Sequence, residues 1–143
     1  MPDFPDYDPE MAHLAAGYQE KSGLSGFLGI EMTEVGPGRM SCAVEARPDL
    51  LNPFGTLHGG VISALVDHVL GAVCYPVIPR GAWAATTEFK VNLLAPVREG
   101  TVTATAEIAS MSKSTAVVRI DITNAGRVVA LAQGTVTIKA PRA

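Results

Sequence analysis

The sequence has few of the features that mark specialised classes of protein. Its two cysteines, Cys42 and Cys74, are too few for a disulfide framework. For Cys74 a buried, inert thiol is favoured over a nucleophile, because no neighbour in the sequence would lower its pKa. The 11 Lys and Arg residues are scattered without a run and the net charge is −3, so nucleic acid is not an expected partner.

The first ten residues, MPDFPDYDPE, have neither a basic start nor an apolar run. No secretion signal is therefore predicted, and a cytoplasmic location is expected. The alternation of Asp and Pro suggests a loosely ordered arm. A short helix follows, with Met11, Leu14, Ala15 and Tyr18 expected on one side and a stop at Gly23.

The chain has 143 residues, of which 48% are hydrophobic and 17% charged. This composition predicts one core that needs no disulfide, metal or cofactor. We divide the chain into an N-terminal arm with a short helix, residues 1–23, and a single domain, residues 24–143.

The longest apolar segment, residues 59–78, begins at a glycine pair and predicts a core helix. Its bulky residues fall on one side, which is the pattern of a buried stripe. They are Ile62, Leu65, Val66, Val69 and Val73. The segment is about long enough to span a membrane, but Asp67 near its middle would cost roughly 2.5–3.5 kcal/mol there, so a core helix is favoured and no membrane is expected.

Alternating patterns predict two strands before this helix, residues 27–35 and 40–46, and four after it. In the third strand Thr86, Glu88 and Lys90 are expected on one face, with Thr87 and Phe89 on the other. The last two strands are expected to join through a three-residue loop, 124–126. The pattern predicts an α+β fold in which an antiparallel sheet of about six strands is wrapped around one long helix.

The small side of the helix carries Asp67, whose carboxylate could lie on a solvated face, make a structural hydrogen bond or act in a site. Unpaired amides at Gly59 and Gly60 favour a role in a site, because a helix N-terminus binds a carbonyl oxygen or oxyanion. His58 and Asp67 are separated by nine residues, roughly 13 Å of rise and half a turn of rotation. They cannot meet within one helix, so the geometry predicts a site shared across a homodimer.

At these residues the sequence resembles the hot-dog fold acyl-CoA thioesterases, in the branch with the phenylacetate-pathway and 4-hydroxybenzoyl-CoA thioesterases. The matching pattern is Asn52, the motif G-x-x-H-G-G at 55–60, and an acid nine residues after the histidine. Residues 86–100 also resemble that family's central strand and its Pro-x-x-x-Gly exit. The resemblance covers about residues 50–138.

The resemblance implies hydrolysis of an acyl-CoA with a small aryl or short-to-medium acyl group. Asp67 would be the nucleophile or the general base, and we favour a base acting through water because its arm is shorter than that of Glu. The Gly59 amide would polarise the thioester carbonyl, Asn52 would position the water or the departing thiol, His58 would fix the turn, and Thr86 would help to hold the water.

Coenzyme A would be contacted by Gly60, Lys113 and Ser114, with Lys90 and Arg80 as further phosphate partners. A solvated turn is the competing interpretation of residues 113–114. At least a homodimer is expected, with a homotetramer as the favoured assembly and the site at the subunit interface. Two other functions stay open: a hot-dog hydratase or dehydratase, and a non-catalytic acyl-CoA-binding module.

Overall fold

Within the residues that the structure describes, 2–19 and 22–142 of a computed structural model, six antiparallel strands form one sheet. The strands are β1 Glu31–Gly36, β2 Arg39–Glu45, β3 Trp83–Leu93, β4 Thr101–Met111, β5 Thr115–Asn124 and β6 Arg127–Lys139. Their order is β1-β2-β4-β5-β6-β3, so β1 and β3 are the edges. The helices are α1 Pro9–Gln19, α2 Gly23–Leu28 and α3 Gly59–Ala72, with 3-10 turns at Pro48–Leu50 and Tyr75–Val77.

Helix α3 packs against one face of the sheet and contacts β2 through β6. The apolar stripe predicted from the sequence is buried, as expected. Burying one large aliphatic side chain contributes roughly 1.5–3 kcal/mol, so the stripe holds the helix on the sheet. The stretch Gly59–Val77 is long and apolar enough to cross a membrane, yet more than half of it is buried inside the structure, which is also the property of a core helix.

Strand β3 contains a bulge that the sequence pattern did not reveal. Its register against β6 shifts between Thr86 and Glu88, so Thr87 is an extra residue. Thr86 pairs with the fully buried Val136 and therefore shares the helix-facing side of the sheet, whereas Thr87 is exposed. The prediction that Thr86 shares a face with Glu88 and Lys90 was wrong, because the extra residue inverts the alternation.

The strand predicted over residues 27–35 begins only at Glu31, and residues 27 and 28 end helix α2 instead. Gly29 closes this helix in the left-handed conformation, with φ 73°. The guanidinium of Arg47 then donates to the carbonyl oxygens of Phe27 at 2.6 Å and Leu28 at 2.9 Å. The helix is thus stabilised by a cation that lies about twenty residues further along the chain.

The loop between β5 and β6 has two residues, not the three expected. Asn124 and Arg127 already pair across the strands. Ala125 and Gly126 have φ values of 52° and 77°, and positive φ at both positions is what a type I′ hairpin requires.

The N-terminal segment is attached to the domain, which corrects the expectation of a loose arm. The Asp8 amide donates to the Pro76 carbonyl at 2.7 Å, and the Arg80 guanidinium contacts Asp8 at 2.7 Å. Among the described side chains of α1, Ala12 is the buried one, whereas Leu14, expected on the packed side, is 56% exposed. For Tyr18, which was also predicted on this side, the structure describes the backbone and not the side chain.

Candidate active site

The start of α3 is organised by one side chain. His58 is the N-cap residue, and its Nδ1 accepts a hydrogen bond from the Gly60 amide at 2.8 Å. The His58 amide donates in turn to the Leu50 carbonyl at 3.0 Å. Among the residues that the structure describes, the Gly59 N–H has no acceptor. One donor, at the positive end of a 14-residue helix, therefore stays available to an oxygen of a ligand.

Both glycines of the turn have a close neighbour where a side chain would begin. A Cβ on Gly59 would lie 2.9 Å from Cδ1 of Leu93 on strand β3, and a Cβ on Gly60 would lie 2.9 Å from Nδ1 of His58. The imidazole can lie over the Gly60 amide only because that residue has no side chain. The amide of Gly60 is already bonded to His58, so of the two predicted donors only Gly59 is free.

Asn52 builds the loop that precedes the helix. Its Oδ1 accepts from the amides of Phe54 at 3.0 Å and Thr56 at 3.2 Å, and its Nδ2 donates to Oγ1 of Thr56 at 2.8 Å. One Nδ2 hydrogen is left without an acceptor among the described residues. The amide oxygen of Asn52 is therefore committed to the loop, and only this one N–H could reach a substrate or a water.

Asp67 lies on α3 about 12 Å of helical rise from Gly59. Its side chain is exposed and, within the described part of the chain, makes no hydrogen bond or ion pair. A single chain therefore does not bury this acid, and of the three alternatives the structural hydrogen bond within one chain is not seen among the described residues. Ser63 and Ala64 on the same side of the helix are small and only partly buried.

The remaining predicted residues are spread over the sheet. Thr86 is half-buried on the face that carries α3, whereas Lys90 is exposed on the opposite face, in a cavity shared with Asp121. Lys113 and Ser114 occupy the exposed turn between β4 and β5, where the Ser114 carbonyl accepts from the Ile138 amide at 2.8 Å.

The structure accounts for two further residues that were singled out in the sequence, one by ion pairs and the other by burial. Arg80, a predicted phosphate partner, is bound to Asp8 and to Glu10 at 3.1 Å. Cys74 lies beyond the end of α3 and is fully buried. Burial raises the pKa of its thiol from 9.0 to about 12, which keeps it protonated and unreactive at neutral pH.

Sequence reasoning missed one contact beside the site. Oγ of Ser25 on α2 lies 3.1 Å from Nδ1 of His68, the residue after Asp67. Gly23 and Gly29 lie on either side of a short apolar segment, and a glycine after such a segment is a common signal for the end of a helix. A short helix before β1 could therefore have been inferred from them.

Within the described residues, no three His, Cys, Asp or Glu side chains lie close enough together to hold a metal ion.

Comparison with known proteins identifies the class. A family model described as Thioesterase superfamily matches residues 54–131, more than half of the chain. The chain is 33% identical to 1,4-dihydroxy-2-naphthoyl-CoA hydrolase of Listeria monocytogenes, over 84% of this chain and 98% of that one. It is 28% identical to acyl-coenzyme A thioesterase 13 of Homo sapiens, over 73% and 75% of the two chains.

Solved structures agree with this result. The PaaI protein of E. coli, from the phenylacetic acid degradation operon, superposes with a TM-score of 0.82 at 26% identity, over 92% of this chain and 96% of that one. Thioesterase HI1161 of Haemophilus influenzae has a TM-score of 0.82 at 25% identity, over 89% of each chain. The six-stranded sheet around one long helix is the hot-dog fold, as predicted. The chain belongs to the thioesterase superfamily, and the predicted enzyme class, a thioester hydrolase, is confirmed.

Proposed function

We propose that the chain hydrolyses an acyl-CoA thioester with a small aryl or short-to-medium acyl group, releasing the free acid and coenzyme A. The observation that carries the proposal is the unpaired Gly59 amide at the start of α3. A thioester carbonyl placed there gains a donor that strengthens as negative charge develops on its oxygen. The coenzyme A hydrolases among the relatives support the substrate class.

The activation of the attacking water is assigned to Asp67. Its carboxylate takes a proton from a water as that water attacks the carbonyl carbon, and the resulting oxyanion rests on the Gly59 amide. The carbon–sulfur bond then breaks, and the protonated Asp67 gives its proton to the departing sulfur, so that coenzyme A leaves as the thiol and the carboxylate is restored. A base acting through water suits the short arm of Asp67 better than direct attack.

In this proposal the Asp67 carboxylate and the Gly59 amide of one site come from different subunits. The Asp67 carboxylate is exposed, has no partner among the described residues, and lies about 12 Å along the helix from the amide of its own chain. Strand β3 pairs with β6 on one side only, so an 11-residue edge is open to a second copy. A homodimer formed here would bring the Asp67 of one subunit to the helix start of the other, and a tetramer would pair two such dimers.

Release of free thiol from a panel of acyl-CoAs tests the proposal. The unaltered protein should release thiol, and Asp67→Asn should remove nearly all of the activity. Asp121→Asn is the matched control, because Asp121 is another exposed carboxylate but lies on the opposite face of the sheet. A change in enoyl absorbance without thiol release would indicate a hydratase, and binding without turnover would indicate an acyl-CoA-binding module.

A further inference from the structure

An open groove of about 310 Å³ lies between α2 and the first half of α3. We name it the α2–α3 groove. Its walls are formed by aliphatic side chains from α2, from the 48–51 segment and from α3. These are Leu24, Leu28, Leu50, Leu51, Val61 and Ala64.

One end of this groove is the helix start. His58 and Gly60 both line it, and they are the two residues that flank Gly59 in the chain. A molecule whose carbonyl oxygen accepts from the Gly59 amide therefore has the groove within reach of its next few atoms. Because the polar reaction centre lies at one end and the aliphatic walls lie beyond it, the apolar part of the substrate is the part that fits.

The wall contributed by α2 is held in place before any ligand binds. The Ser25 hydroxyl lies 3.1 Å from Nδ1 of His68 on α3, which ties the two helices together. At its other end α2 is held by Arg47, which donates to two of its carbonyl oxygens and lies 5.6 Å from the ring centre of Phe27. Because this wall is formed before binding, binding requires no ordering of the chain. The wall therefore discriminates between ligands by their shape.

Charge and size narrow the ligand further. Among the described residues, Asp49 is the one charged side chain that lines the groove, and its carboxylate is already paired with Nε of Arg47 at 2.8 Å. A carboxylate on the acyl group would be placed against aliphatic walls with no cation among these lining residues, so a negatively charged acyl group is disfavoured. A volume of about 310 Å³ is at the lower end of the range of ligand pockets, roughly 300–1,000 Å³, so a ring or a short chain fills the groove and a longer chain would extend from its open side.

We infer that the α2–α3 groove binds the acyl group, and that it selects compact, uncharged apolar groups such as an aryl ring or a short branched chain. This inference rests on the proposed thioesterase function. In it Leu24 and Ala64, on opposite walls, determine acyl specificity, whereas the groups that carry out the hydrolysis lie at the groove's end.

The experiment compares kcat/KM for acetyl-CoA, benzoyl-CoA and succinyl-CoA in variants that narrow the groove. Leu24→Trp fills it from α2, and Ala64→Leu fills it from α3. Leu14→Trp is the matched control: Leu14 is 56% exposed on a short helix outside the groove, and Leu24 is 63% exposed. One methylene in an apolar pocket changes discrimination by roughly 10–200-fold, so the benzoyl-to-acetyl ratio should fall about tenfold or more in both groove variants.

The control variant should keep the ratio of the unaltered protein, and the unaltered protein should prefer benzoyl-CoA to succinyl-CoA. Activity on acetyl-CoA and the far-ultraviolet spectrum report whether each variant is folded. A ratio that stays within about twofold in both groove variants, while acetyl-CoA is still hydrolysed, would overturn the groove assignment alone. Absence of thiol release from every acyl-CoA in the unaltered protein would overturn both this inference and the proposed function.

Discussion

Nδ1 of His58 accepts a hydrogen bond from the Gly60 amide at 2.8 Å, and this bond leaves the Gly59 amide as the free donor at the start of α3. Since Nδ1 is the acceptor, a neutral His58 carries its proton on Nε2. In this arrangement the histidine shapes the turn, and the amide of Gly59 is available to a ligand. The family resemblance had assigned the turn to His58 and the carbonyl to Gly59, but the prediction that the Gly60 amide is also free was wrong.

Replacement of Gly59 by proline should remove the donor without breaking the helix. Proline is well tolerated at the first helical position, and His58 has φ −59° and ψ 132°, an extended conformation that a following proline accepts. Loss of one oxyanion donor costs about 10²–10³ in rate, so kcat for acyl-CoA hydrolysis should fall by about that factor in Gly59→Pro.

Gly59→Ala is the control for that change. Both variants place a Cβ 2.9 Å from Leu93 Cδ1, the end of a flexible side chain, but only proline lacks the N–H. Gly59→Ala should therefore keep much more activity than Gly59→Pro. Equal losses of activity in the two variants would show that steric contact with Leu93, and not the loss of the N–H donor, lowers the rate.

Asn52 has a structural role that can be separated from a role in the reaction. Asn52→Ala removes the two accepted bonds and the donated one, and should lower the free energy of unfolding by about 1–3 kcal/mol. Asn52→Asp keeps the acceptor oxygen and should unfold close to the unaltered protein in urea. If the free Nδ2 hydrogen contacts the reactants, thiol release falls in both variants; full activity in Asn52→Asp would limit this residue to the loop.

Gly134 is required where β6 passes under α3. A Cβ there would lie 2.8 Å from the Glu88 carbonyl oxygen and 2.7 Å from Cδ2 of Leu70. Gly134→Ala should therefore destabilise the domain by about 1–3 kcal/mol, measured by urea unfolding. The same substitution at Gly17 in α1, where a Cβ meets no atom within 4 Å, should leave stability unchanged or raise it slightly.

The buried thiol of Cys74 makes stability depend on alkaline pH. Its pKa is raised from 9.0 to about 12 in the folded protein by burial, so the unfolded chain loses this proton first as pH rises. The stabilising contribution is complete below pH 9 and is lost between about pH 9 and 12. The difference in unfolding free energy between the unaltered protein and Cys74→Ala should shrink across this range, and a difference independent of pH would contradict the assignment.

Much of the fold could be predicted from the sequence because its signals are local. The stripe from Ile62 to Val73 and the alternation in β4 each follow from one periodicity, and the motif at 55–60 places the helix start. The errors arose where a distant residue decides the local structure. The last carbonyls of α2, those of Phe27 and Leu28, are bound by Arg47 from about twenty residues away, and the bulge at Thr87 is defined only by the pairing of β3 with β6.

The site was harder to predict than the fold for a related reason. Spacing indicated that His58 and Asp67 cannot meet within one helix, and in the structure Asp67 is exposed and the Gly59 amide is unpaired among the described residues. The side chains that decide which amide is free, and the α2 wall beside it, depend on contacts between segments that no single pattern encodes.

Mixing two inactive variants tests the shared site most directly. Asp67→Asn chains keep the Gly59 amide, and Gly59→Pro chains keep the carboxylate, so a mixed dimer would contain one complete site. Each variant alone should release almost no thiol. After co-refolding in equal amounts, about a quarter of the unaltered activity should return, because half of the dimers of a two-fold symmetric protein are then mixed and each has one of its two sites intact. A mixture no more active than its two components would contradict a site built from the acid of one subunit and the helix start of another.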